Sequence, residues 1–212
     1  MKLTQEIADF EAKKQQTHPR DVLDLMDVTT ADLVATGIAE QALGVGDAAP
    51  DFTLPDARGG DTRLSDLLAD GPVILNFYRG SWCPYCNLEL RAYQRELPRI
   101  KAKGASVAAI SPMLPDGSLS QSEKESLEFA VLSDVGLEVS DAFGLVFVLD
   151  PRIKGAYIER GNDLARYNGD PSFRLPVPAT YVIGADGRIV YAYIDADYRL
   201  RADPEDAIAA LG

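Results

Sequence analysis

The chain has 212 residues, 46% of them apolar and 25% charged, the balance of an ordinary globular protein with one substantial core. Its 33 acids against 21 bases leave a net charge of −12, which repels phosphate backbones and anionic membranes, so neither nucleic acid nor a membrane is expected as a partner. One histidine and two cysteines exclude a His-rich metal site, a four-cysteine zinc site within one chain and a disulfide-stapled scaffold, and no cofactor is expected.

The N-terminus, Met1-Lys2-Leu3-Thr4-Gln5-Glu6, lacks the apolar stretch of a signal peptide, and its acids argue against a transit peptide. A reducing cytoplasm is expected, where a close cysteine pair is catalytic more often than structural. Residues 1–44 read as a polar helical arm with no chemistry of its own, packed on the main domain or on a partner subunit. Leu3, Ile7 and Phe10 share one face, and Val22, Leu25 and Met26 form a second stripe after Pro19. Thr29-Thr30-Ala31-Asp32 resembles a capping box that would start a short helix ending at Gly37. Within the arm, His18 lies in a polar segment, which makes a His-dependent triad improbable.

The main domain is expected over 45–212. Residues 50–55 alternate like a short strand, Gly59-Gly60-Asp61 marks a turn, and Thr62-Arg63-Leu64 returns. Ser65 is placed to cap a brief helix through Leu68. The unbroken apolar run 73–78 predicts a central strand covered on both faces. A long helix over 84–103 follows, with Leu90, Tyr93, Leu97 and Ile100 on one face, a kink expected at Pro98 and a stop at Gly104. With the strand 106–110 this makes a βαβ unit, so its two strands should be parallel. Further on the spacing predicts helices over 120–127 and 137–143 and a short strand at 130–132. Residues 146–172 resist assignment: 146–149 could be a strand, and Asp150-Pro151 and Asn168-Gly169-Asp170-Pro171 mark turns around an irregular insertion. Residues 180–183 and 189–193 flank Asp186-Gly187 and predict a β-hairpin, and Asp203-Pro204 opens a last helix. The order predicts an α/β thioredoxin-like fold, a central mixed sheet flanked by helices.

The informative stretch is Asn76-Phe77-Tyr78-Arg79-Gly80-Ser81-Trp82-Cys83-Pro84-Tyr85-Cys86. It sets Cys83 at the start of a helix, where free N–H groups and the helix dipole favour thiolate over thiol. Cys86, three residues on, faces the same side and should be the more buried of the two. Attack by Cys83 on a substrate, then by Cys86 on Cys83, is the economical use of this geometry. A structural disulfide would close too short a loop to stabilise much. An inert buried pair and a metal shared between subunits are the alternatives.

These residues, with 45–54, Ile110-Ser111-Pro112, 131–134, 175–183, Asp197-Tyr198 and Arg201, resemble the alkyl hydroperoxide reductase/thiol-specific antioxidant family, in particular its peroxiredoxin-like branch with a dithiol. The Cys83-Pro84-Tyr85-Cys86 pair itself is similar to the glutaredoxin dithiol. The resemblance implies a thioredoxin-like fold, Cys83 as nucleophile and cysteine-based reduction of peroxides or disulfides. A thioredoxin- or glutathione-type thiol donor would restore the dithiol, and a homodimer is expected. Peroxiredoxins hold the peroxide with a Pro-x-x-x-Thr/Ser-x-x-Cys loop. Here Asn76 and Gly80 stand at the Pro and Thr/Ser positions, so that loop is absent or remodelled. Ser81 is either a replacement hydroxyl or a loop-capping serine. Pro178 occupies the place of the family's arginine, leaving Arg79 and Arg174 as candidates for the lost charge. Val177-Pro178-Ala179-Thr180 resembles the loop that carries a cis proline opposite the dithiol. Arg79, Ser81, Trp82, Tyr85 and Pro178 are thus the candidate substrate-binding residues. Asp195, Asp197, Tyr198 and Arg201 read as a polar network near the last helix.

Three readings follow: a thiol-dependent peroxidase, a thioredoxin- or glutaredoxin-like disulfide reductase, and a non-enzymatic redox-sensing or metal-binding scaffold.

Overall fold

The computed structural model describes residues 2–212, the side chains of residues 119 and 121–124 excepted. The arm forms α1 (Leu3–Thr17), α2 (Arg20–Val34) and the single turn α3 (Ile38–Gln41). No helix starts at Thr29: α2 runs through the capping-box motif, and the Thr29 hydroxyl donates back to the Leu25 carbonyl at 2.9 Å, which satisfies it inside the helix. Gly37, at φ +68°, supplies the left-handed residue beyond the helix end. Leu23 and Thr30 are the wholly buried residues of α2, one step off the expected stripe.

β1 (Thr53–Pro55) and β2 (Asp61–Arg63) form an antiparallel ribbon leading into α4 (Leu64–Asp70). Ser65 is not the cap of α4. Its own N–H donates to the Asp51 carboxylate at 2.9 Å, so an acid fourteen residues upstream answers a free donor of the first turn.

β3 (Val73–Phe77), α5 (Pro84–Ala102) and β4 (Ser106–Ser111) are the expected βαβ unit with parallel strands, and Pro98 lies within the helix. α6 (Pro115–Glu125) begins five residues before the expected helix, with Pro115 at its start, and leads to β5 (Ala130–Ser133), parallel to β4. After α7 (Glu138–Ala142) the insertion proves regular. β6 (Val146–Val148), α8 (Pro151–Glu159), α9 (Leu164–Asn168) and β7 (Arg174–Pro176) fold on their own small core of Leu149, Ile153, Tyr157, Leu164, Phe173 and Leu175. Asp150 and Asp163, read as turn residues or passed over, are side-chain N-caps of α8 and α9. The hairpin of β8 (Ala179–Ile183) and β9 (Ile189–Ile194) and the short α10 (Pro204–Ala209) complete the chain.

The main sheet has the order β5-β4-β3-β8-β9, with β8 and β9 antiparallel to their neighbours. Alternation along β3 divides the core. Ile74 faces α5 and α10 with Leu90, Tyr93, Ile100 and Ile208, while Val73, Leu75 and Phe77 face the other layer with Leu64, Phe143 and Tyr181. β3 is buried on both faces, so its end, at Phe77, delivers the next loop to a fixed point beside the start of α5.

The arm packs on its own chain. α1 lies on α5 through Leu3 and Ile7, and α2 lies on α8, tied by the Asp32–Arg152 ion pair, while Asp27 of α2 pairs with Arg199 beyond β9. A 15-residue helix is marginal alone, and burying Leu3 and Ile7 contributes roughly 1.5–3 kcal/mol each toward holding α1 in place.

Candidate active site

Cys83 is the N-cap of α5, with Pro84 at the first helical position. Both cysteines are free thiols and both are wholly buried, so Cys83 is no more exposed than Cys86, contrary to expectation. Cys83 is shielded by the Arg79–Trp82–Tyr157–Tyr198 cluster. The Arg79 guanidinium donates to Cys83 Sγ at 3.3 Å through Nη2 and to the Tyr157 hydroxyl at 3.3 Å through Nη1. It lies 4.0 Å from the Tyr198 ring centroid and 5.1 Å from that of Trp82.

The two sulfurs are driven apart in acidity. Burial alone would raise both thiols. At Cys83 this is outweighed by the hydrogen bond from the Cys86 thiol and by the Arg79 and Arg201 charges, which hold it well below the usual thiol range. Cys86 is pushed well above that range by burial and by donating to Cys83. The helix start matters less directly than expected, because the Cys83 side chain accepts no cap hydrogen bond from the first turn.

Arg79 is 4% exposed, and among the described residues no carboxylate pairs with it; its neighbours are Cys83, Tyr157, Trp82 and Tyr198. A buried guanidinium without a counter-charge is costly. The cost falls when Cys83 ionises, so the arginine and the thiolate stabilise one another. Arg174 is not at the site. It pairs with Asp170 and donates to the Gly136 carbonyl, because β7 belongs to the separate ribbon with β6.

The second sulfur has its own arginine. Arg201, buried, donates to Cys86 Sγ at 3.4 Å and pairs with the buried Glu89 carboxylate on the next turn of α5. Thr180 and Asn76 extend the network from the ends of β8 and β3. Burial raises the Glu89 carboxyl, and Arg201 opposes that shift. Arg201 and Tyr198, read as a network beside the last helix, therefore belong to the site, while Asp197 turns away to Arg199. Removing Glu89 would leave Arg201 buried and short of a counter-charge. Glu89→Ala should lose about 3–5 kcal/mol in urea unfolding, whereas Arg174→Ala, at an exposed pair, should lose about 1 kcal/mol or less. Equal small losses would show that the buried pair carries no such weight.

Gly80 explains the remodelled loop. Its φ is +142°, and a Cβ there would lie 2.5 Å from Trp82 Nε1 and 3.2 Å from Met113 Sδ. A threonine has no room where the peroxide-binding loop would place one. Ser81 joins the loop through its backbone: its N–H meets Met113 Sδ at 3.0 Å and its carbonyl accepts from Asn87 at 2.8 Å. Trp82 packs edge-on to Tyr157, 5.5 Å between centroids. Tyr85 turns toward the arm, where its hydroxyl accepts from Lys14 Nζ at 2.9 Å and donates to Glu11. Pro178 lies in the wall of a cavity of about 300 Å³ that reaches Arg79 between α2 and α8. Its peptide bond is trans, since no cis bond occurs among the described residues. An extended trans chain lets Val177 donate to Leu145 while Ala179 pairs with Phe77.

Tyr157, Glu89, Lys14 and Glu11 escaped the sequence reading. Only Tyr157 left a usable signal, since Asp150-Pro151 is a helix start and places Tyr157 on a short helix rather than in a loop.

Residues 45–192 match the AhpC/TSA family. The chain belongs to that family. It is 31% identical over 147 residues to a putative peroxiredoxin of Mycobacterium tuberculosis, a match covering 69% of this chain and 82% of the relative. It is 37% identical over 106 residues to the thiol-disulfide oxidoreductase ResA of Geobacillus kaustophilus, covering 49% of this chain and 59% of ResA, so the chain spans about three fifths of that relative. The crystal structure of peroxidoxin BcpB from Mycobacterium tuberculosis superposes with a TM-score of 0.62 at 25% identity, covering 80% of this chain and 96% of that one. The fold is that of the thioredoxin-like peroxiredoxins. Tyr198, Arg201 and the whole arm lie outside the span matched to the AhpC/TSA family.

Proposed function

We propose that the chain is a thiol-dependent oxidoreductase that reduces hydroperoxides through a Cys83/Cys86 dithiol–disulfide cycle, within a redox domain over 45–212. The observation that carries this is Arg79, buried with no carboxylate partner among the described residues and aimed at Cys83 Sγ. The Cys83 thiolate attacks the terminal peroxide oxygen. An S–O bond forms, the O–O bond breaks, and the departing oxygen leaves as hydroxide or alkoxide and takes up a proton. Arg79 is placed to stabilise the charge that develops on it. Cys86 then gives up its proton and attacks Cys83, the S–S bond forms and water leaves. An external thiol of the thioredoxin or glutathione type restores both cysteines. The apolar cavity ending at Arg79 suits the hydrocarbon part of an organic hydroperoxide.

Disulfide reduction is the second reading, and Gly80 favours it: where the peroxide-binding loop would offer a hydroxyl, this chain offers none. Trp82, the single tryptophan, packs on the arginine that touches Cys83, so its fluorescence should change on oxidation. In stopped-flow measurements the reduced protein should react with hydrogen peroxide and cumene hydroperoxide far faster than a free cysteine does. The rate should hold as pH falls below about 8.5, because Cys83 remains ionised. Oxidation no faster than free cysteine, beside rapid reduction of a model disulfide, would select the second reading.

No helix among the described residues is long and apolar enough to cross a membrane. A cytoplasmic setting accords with the unpaired thiols. Exposed Val28, Val34, Val148 and Ile158 offer apolar surface for a homodimer, which sedimentation equilibrium tests.

A further inference from the structure

Each sulfur must in turn carry negative charge: Cys83 when it attacks the substrate, Cys86 when it attacks the oxidised Cys83. Arg79 serves the first, its terminal nitrogens given to Cys83 Sγ and the Tyr157 hydroxyl. Cys86 is wholly buried, and an anion forming there without a cation would be costly. Arg201 is the cation in contact with it. Its guanidinium is 5% exposed and fixed at three points. Nη2 donates to Cys86 Sγ at 3.4 Å, Nε donates to the Tyr198 carbonyl at 3.0 Å, and Nη1 donates to the Glu89 carboxylate. Glu89 in turn accepts from the Thr180 hydroxyl at 3.3 Å. In the reduced protein Cys86 is kept from ionising, because burial, donation to Cys83 and the Cys83 charge together outweigh Arg201 and Arg79. The last two of those opposing influences end once Cys83 is a sulfenic acid, since that sulfur has lost its charge. The groups facing Cys86 are Cys83, Arg79, Arg201 and the Tyr78 hydroxyl just after β3. Arg201 also faces Glu89 and Tyr193 and, across a cavity beside α1, Glu11 and the Asp197–Arg199 pair. Of all these groups, oxidation of Cys83 alters the charge of Cys83 alone.

We propose that Arg201 is the catalytic residue of the resolving step, holding the Cys86 sulfur as it becomes an anion, and that it does so only after Cys83 has been oxidised. The inference rests on the dithiol–disulfide cycle and divides its two steps between two arginines. Cys86 Sγ attacks Cys83 Sγ. The S–S bond forms, the S–O bond of the sulfenic acid breaks, and the departing hydroxide takes the Cys86 proton and leaves as water. The Cys86 sulfur is oxidised by one unit and the Cys83 sulfur is reduced by one. Arg201 acts again when an external thiolate attacks Cys83 Sγ. A mixed disulfide then forms, the Cys83–Cys86 bond breaks, and Cys86 leaves with the electron pair beside the same guanidinium before it regains a proton. Until Cys83 is oxidised, Cys86 stays a neutral thiol, so the substrate meets one reactive sulfur and not two.

The test mixes reduced full-length protein with excess hydrogen peroxide, quenches it with acid at intervals, and counts Cys83 sulfenic acid and Cys83–Cys86 disulfide by mass spectrometry. Arg201→Met/Glu89→Gln removes both buried charges, so neither is left unpaired in the core. At neutral pH its disulfide formation should slow on the order of tenfold or more beyond any slowing of sulfenic acid formation, the effect of one lost hydrogen bond to a charged group. Sulfenic acid should therefore accumulate, and raising the pH should recover the second step. Arg201→Lys, which keeps the charge, should lie between the double variant and the wild type. Arg79→Met should show the reverse pattern, with the first step slowed more than the second. A second step unchanged in the double variant, or both steps slowed by the same factor, would overturn the inference. A wild-type protein that forms sulfenic acid and never the disulfide would be a failure of the cycle itself, and the inference would fall with it.

Discussion

Cys86→Ser protein should be oxidised once by peroxide at close to the wild-type rate and then stop. The serine hydroxyl still donates toward Cys83, and Arg79 is untouched, so the thiolate that begins the reaction persists. What is lost is the sulfur that condenses with the sulfenic acid. Cys86 is wholly buried three residues along α5, with no other cysteine in the chain to replace it. Trp82 fluorescence would record one normal oxidation. Dimedone trapping with mass spectrometry would then find Cys83 held as sulfenic acid, or as a mixed disulfide when an external thiol is present. Steady-state turnover should fall to background. Normal turnover in Cys86→Ser would show that external thiol reduces the sulfenic acid directly and that Cys86 is not the resolving residue.

Arg79 carries the second large effect, and two substitutions separate its charge from its shape. In Arg79→Met the Cys83 thiolate loses its nearest cation, and its acidity returns toward the ordinary value of about 8.5. Peroxide reduction at neutral pH should fall on the order of tenfold or more, and raising the pH should recover part of the loss. Arg79→Lys keeps a charge but not the fork that spans Cys83 and the Tyr157 hydroxyl. Its rate should also fall on the order of tenfold, for a transition-state contact of about 1.4 kcal/mol, without rescue at high pH. Unchanged kinetics in Arg79→Met would remove arginine from the chemistry at Cys83.

The same pairing links stability to pH. The Cys83 thiol is more acidic folded than unfolded. Its contribution to the stability of the reduced protein is therefore full above the unfolded value and is lost as pH falls through the lowered one. Below that, Arg79 is left buried without an anion. Disulfide formation also removes the thiolate, so Arg79 should favour the dithiol and make the disulfide a better oxidant, and Arg79→Met should lower the reduction potential.

Much of this protein is local in sequence and was legible there. The apolar run 73–78, the stripe Leu90, Tyr93, Leu97 and Ile100, and the Asp186-Gly187 turn each depend on residues within one element, where periodicity and turn chemistry decide the outcome. Cys83 at a helix start and Cys86 one turn on are likewise consequences of short-range spacing. Of the partners of those sulfurs only Arg79, four residues from Cys83, lay within reach of local reading; the rest of the site arrives from distant elements. Arg201 is 115 residues from Cys86, Tyr157 is 78 from Arg79, and Lys14 is 71 from Tyr85. In the sequence Arg79 and Arg174 are both candidates for the charge beside the sulfur, and only the place of Arg79 four residues before Cys83 favours it. The fold distinguishes them: β3 ends under the helix that carries Cys83, whereas β7 pairs with β6 away from it. A side chain's type follows from local sequence, but whether its charge is buried against a sulfur or spent on a solvated acid depends on which elements the tertiary packing brings together.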